Sequence, residues 1–240
     1  MTAFGARTYV RRHEGFSLIE VAIVILVMTL VLGSLLTPLN AQLERRQIDE
    51  TQRALEDIRE ALLGFAMANG RLPRPAQSAA DGTERSANCT THQDCTGFVP
   101  WVILGTARAD AWGKLIRYSV SPGLAQTGAP IALASSGTKR IRTRDPLGAP
   151  ILADNVAAVL ISHGARAWGH TIDGVDIPDG SSTNVDEDAN ATQYGRTTDP
   201  FYARTMSQLV SSPGGEFDDL VVWIPQPLLL SRLVAAAKLP

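Results

Sequence analysis

The sequence predicts an α+β fold: a long N-terminal transmembrane and stalk helix packed on a small antiparallel sheet of about four or five strands, with a short C-terminal helix. Three observations carry this reading. A helical pattern begins at Phe16 and reaches Asn69. Short segments of strand character, separated by turn residues, follow between 98 and 224. A second, shorter helical pattern closes the chain.

The first element is the apolar run 16–39, which carries one formal charge, Glu20. About 20 apolar residues suffice to span a bilayer as a helix. Arg7, Arg11 and Arg12 precede the run, so the N-terminus should stay cytoplasmic and the rest should cross. An ordinary secretory signal would place small residues and a cleavage site behind the run. Asn40-Ala41-Gln42 leads instead into a charged helical pattern over 40–70. Leu55, Ile58, Leu62 and Phe65 are spaced by three and four and form one face of that stalk. Arg45–Asp49, Arg46–Glu50 and Arg53–Asp57 pair on the other face at i,i+4. Asn69-Gly70 supplies a C-cap, and Pro73 and Pro75 confirm the stop.

A globular region over 71–240 follows. Residues 71–98 are rich in Pro, Gly, Ser and Thr and read as a loop holding Cys89 and Cys95. In an exported domain two close cysteines form one disulfide; two free thiols or a metal half-site are the alternatives. Leu115–Val120 and Ile131–Ser135 are strand candidates, and 138–144 is a basic run read as a solvated strand or hairpin edge, with a partner site as the alternative. Val156–Ser162, the most apolar segment after residue 39, should be a central strand. Residues 171–199 hold seven acidic side chains against Arg196 and read as a long structureless loop. Asp218–Ile224 is a final strand, and Leu228–Ala237 a helix started by Pro225 and Pro227.

The charge balance is even, with 22 basic and 24 acidic residues, and no basic stripe signals nucleic acid. No Gly-x-Ser-x-Gly, His-Glu-x-x-His or phosphate loop occurs. Ser162 and His163 are adjacent, which does not set a nucleophile against a base, and Asp218 and Asp219 are neighbours on a strand. The sequence therefore predicts no enzyme and no catalytic residues.

The stretch Arg11-Arg12-His13-Glu14-Gly15-Phe16-Ser17-Leu18-Ile19-Glu20 resembles the class III prepilin signal of type IV pilins and type II secretion pseudopilins. The resemblance implies that residues 1–15 are a leader, cut between Gly15 and Phe16 by a prepilin peptidase, with N-methylation of Phe16. It implies a minor pilin or pseudopilin that is assembled into a pilus-like or secretion filament through its N-terminal helix, with Glu20 driving assembly. Its partners would be other pilin-like subunits, the peptidase and an inner-membrane assembly platform. The expected location is the bacterial inner membrane, single-pass, with the C-terminal domain periplasmic or on a surface filament. A membrane-anchored binding module that never polymerises is the alternative.

Asp110-Ala111-Trp112-Gly113 is similar to the segment that leaves the stalk helix in many pseudopilins; a core Trp beside a turn is the plainer reading. Some pseudopilins bind calcium in a C-terminal loop, so the 171–199 segment is a candidate for calcium. Its acid spacing departs from an Asp-x-Asp-x-Asp-Gly loop, and a solvated acidic loop is the competing expectation. No other cofactor or metal is expected.

Overall fold

A computed structural model describes residues 17–166 and 168–239, the side chains of 32–39 excepted. The chain forms two compact units, Met1–Arg45 and Arg46–Pro240, and helix α1 (Leu18–Asn69) contributes to both. In the first unit the described residues form the apolar front of α1. The second is an α+β domain built on the rear of α1 and a six-stranded sheet.

Two parts of the expected fold are corrected. Among the described residues, no helix is long and apolar enough to cross a membrane. The expected transmembrane element over 16–39 is thus not upheld. The sheet is mixed rather than antiparallel. Its strands are β1 (Thr96–Phe98), β2 (Arg117–Val120), β3 (Lys139–Arg142), β4 (Ile151–Ser162), β5 (Phe201–Tyr202) and β6 (Leu220–Pro225). The order is β1-β2-β4-β3-β5, with β6 on β4. All pairings are antiparallel except β3 with β5, where Ile141 faces Phe201 and Arg142 faces Tyr202. Two residues with no alternating pattern give no strand signal in a sequence, which is why this parallel edge was illegible.

Alternation along the strands divides the domain into two apolar layers. Tyr118, Ala158, Leu160, Val222 and Ile224 face Leu55, Ile58, Leu62, Leu63 and Ala66 of α1 in the main core. Helix α4 (Gln226–Ala235) adds Leu229 and Leu233 to it. The opposite face carries Ile141, Val156, Val159, Ile161 and Phe201. This second face is covered by the long connection between β4 and β6, which contains helix α3 (Val185–Thr192).

Several elements differ locally from expectation. Phe65 is only half-buried, and Leu63 and Ala66 take its place on the buried face. Ile131–Ser135 is a turn, tied by Ser135 N–H to the Ala132 carbonyl. The segment after Val99 forms a short helix α2 (Trp101–Leu104). Central strand β4 starts five residues earlier than read, and Gly137 lies against its Asn155 carbonyl so closely that a Cβ would come within 2.3 Å of the oxygen. Helix α1 ends at Gly70, whose φ of 71° is the left-handed cap that glycine accommodates.

Candidate functional site

The head of α1 has reciprocal capping. The Ser17 hydroxyl accepts from Glu20 N–H at 3.2 Å, and the Glu20 carboxylate accepts from Ser17 N–H at 3.3 Å. Ser-x-x-Glu is the capping-box spacing, and each side chain satisfies a donor that the first turn leaves open. Behind this cap the large apolar residues from Leu18 to Val31 stand between 46% and 90% exposed. Gly15 and Phe16, the expected processing pair, lie outside the described residues.

The Asp110 turn is structural. Asp110 Oδ1 accepts from the N–H groups of Trp112 and Lys114 at 3.0 and 2.9 Å, and Oδ2 accepts from Ser162 Oγ at 2.6 Å. The Ala111 N–H donates to Thr51 Oγ1 of α1 at 3.1 Å. His163 instead pairs through Nδ1 with Asp219 Oδ1 at 3.3 Å. Ser162 and His163 thus serve different carboxylates and make no nucleophile–base pair.

The acidic segment 171–199 is folded rather than structureless. Asp186 is fully buried and takes Arg144 Nε at 2.8 Å and Arg204 Nε at 2.9 Å. Those guanidiniums lie over the rings of Tyr202 and Phe217. Asp188 accepts from Trp168 Nε1 at 2.9 Å, and Asp199 pairs with Arg196 at 2.7 Å. Charge repulsion within the segment is therefore offset locally by arginines and an indole from before, within and after it, a placement that spacing alone does not show.

One acidic residue of the segment joins two from the approach to β6. Oxygens of Glu187, Asp218 and Asp219 lie within 4.8 Å of one another. Sequence reasoning set Asp218 and Asp219 on opposite faces and counted Glu187 only among the acids of 171–199, with no signal that the three meet. Burial pushes the Glu187 carboxyl up to about 7, and burial also raises Asp218. Most of the oxygens have protein donors. Asp218 N–H and Asn184 Nδ2 reach Glu187 at 2.6 and 2.9 Å, Asn190 Nδ2 reaches Asp219 at 2.8 Å, and Ala165 N–H and Arg166 N–H reach Asp218 at 3.0 Å each. Asp218 Oδ1 and Asn184 Oδ1 are the buried oxygens in this group without a partner. Calcium takes six to eight oxygens, so this donor-filled set does not fit it.

The basic run 138–144 also departs from its reading. Lys139 is fully buried, donates to the Tyr194 carbonyl at 2.8 Å, and is pulled down to about 7 by burial. Cys89 and Cys95 form the disulfide, with Cα atoms 5.0 Å apart.

A cavity of about 550 Å³ lies on the sheet face turned away from α1. Thr96 and Phe98 of β1 and Arg117 of β2 form its floor, since Phe98 is registered on Arg117 and Thr96 on Ser119. Trp168, His170 and Tyr194 of the β4–β6 connection form the walls. Arg117 donates to the carbonyls of Asn190 and Gln193 at 2.7 and 2.8 Å, which ties the end of α3 to the floor. Trp168 has a φ of 70°, a rare backbone state for a bulky residue.

Comparison with known protein families, curated proteins and solved structures finds no match to this chain.

Proposed function

We propose that the chain is a structural subunit, a minor pilin or pseudopilin, of a type IV pilus-like or type II secretion filament. The observation that carries this reading is the head of α1. A capping-box carboxylate, Glu20, stands in front of an exposed apolar helical surface, and the same helix supplies the core of an α+β domain at its rear. Exposed apolar surface on this scale calls for an apolar partner. Copies of the same helix stacked head to tail offer one, and such heterologous stacking gives an open fibre rather than a closed ring. The prepilin-like stretch before Ser17 supplies the processing step, with a prepilin peptidase and an assembly platform as further partners. The Cys89–Cys95 disulfide supports a domain that resides outside the cytoplasm.

Shearing surface fibres from cells and immunoblotting for the chain tests the proposal. Recovery with the fibres, starting at Phe16 by intact mass, is the expected result. Recovery only with the envelope would reject it.

A further inference from the structure

We propose that the cavity over β1 and β2 is a binding site for a neutral carbohydrate, a sugar ring with one apolar face and a rim of hydroxyls. Its volume of about 550 Å³ falls within the roughly 300–1,000 Å³ of small-molecule sites. The proposal stands on three features of the cavity wall.

The first is its aromatic content. Phe98, Trp168 and Tyr194 line the cavity and are only partly buried, so apolar ring surface is left for a ligand to cover. Trp168 is held in place by its bond to Asp188, and its left-handed backbone, with Gly169 beside it at a φ of 99°, is a local cost concentrated at the cavity. Such strain gathers where a site is preorganised. Phe98 and His170 meet edge to face with centroids 4.9 Å apart, which fixes both rings.

The second is the hydrogen-bonding polarity of the wall. His163 gives its Nδ1 edge to Asp219, and its Cδ2 side faces Gly169, another wall residue. His170 Nε2 lies 2.7 Å from Asp176 Oδ1, which leaves its Nδ1 as the acceptor, and burial favours the neutral form of this ring. Trp168 Nε1 serves Asp188, and two Arg117 nitrogens serve carbonyls. The His170 ring nitrogen and the largely exposed Asp176 carboxylate are acceptors in the wall, suited to a ligand that brings O–H donors.

The third is charge. The Arg117 guanidinium in the floor disfavours a cationic ligand. Asp176, also in the wall with its carboxylate largely exposed, disfavours an anionic one. A neutral ligand with an apolar face and donating hydroxyls is what remains, and a sugar ring has all three properties.

The test is a printed array of neutral and acidic oligosaccharides, probed with the full chain in a sugar-free detergent. Wild type should bind a subset of the neutral glycans. Trp168→Ala should weaken that binding about tenfold or more, by removing a stacking face. Ala191→Trp, which places a large side chain into the cavity and keeps every group named above, should abolish it. Near-ultraviolet circular dichroism reports whether each variant keeps its fold. No binding to neutral glycans, binding to acidic glycans alone, or unchanged binding by a folded Ala191→Trp would overturn the proposal.

Discussion

Thr51, in the buried face of α1, accepts a hydrogen bond of 3.1 Å from the backbone N–H of Ala111. This contact locks the Asp110 turn, and through it Ser162 at the end of β4, onto the helix. Thr51→Val keeps the shape and removes the acceptor, leaving the N–H unpaired. A loss of about 1–3 kcal/mol is expected, read as a lower urea midpoint at unchanged slope.

The Cys89–Cys95 bridge closes a short loop, so its stabilisation should be modest, roughly 2–3 kcal/mol on the chain-entropy estimate. Thiol labelling of denatured, unreduced protein should give no signal. Two labelled thiols per chain would show the bridge absent.

Lys139 predicts a pH dependence. Its folded pKa is lowered to about 7 by burial, with Arg117 adding to the effect, against an ordinary 10.5. The folded state therefore disfavours the charged form. That cost is fully present below pH 7 and fades as pH rises toward the unfolded value. Lys139→Met should stabilise the domain by roughly 1–3 kcal/mol near pH 6, after allowing for the lost bond to Tyr194. The gain should vanish or reverse near pH 10. Denaturant unfolding of both proteins across this range checks the sign.

Much of the fold was legible because local chemistry and burial agree. Leu55, Ile58 and Leu62 repeat at helical spacing and are buried at that spacing. Asn69-Gly70 stops the helix where it should, and Val156–Ser162 lies within the central strand. The illegible parts depend on distant partners. Lys139 looks solvated beside Arg140 and Arg142, yet Tyr194 receives its amine. Asp186 looks like one acid among seven, yet Arg144 and Arg204 enclose it. Glu187 joins Asp218 and Asp219 only because α3 folds back on the sheet. The expected membrane helix rested on hydropathy over 16–39, and the described residues do not sustain it.

The acidic connection should behave as part of the folded domain, not as a metal-ordered loop. Limited proteolysis should cut 171–199 equally slowly in calcium and in chelator. Asp186→Ala leaves two arginines without their buried acid and should cost about 3–5 kcal/mol, opening the segment to cleavage. Protection that appears only with calcium would contradict this account.

The most direct test of the filament reading is a pair of substitutions at Glu20, scored by subunit content of sheared fibres. Glu20 caps the helix through Ser17, and a glutamine at the same place keeps the capping box while removing the charge. Assembly through the carboxylate predicts that Glu20→Gln and Glu20→Ala are both processed normally and both fail to enter fibres. Fibres containing Glu20→Gln at wild-type levels would show that Glu20 only caps the helix and would contradict its role in assembly.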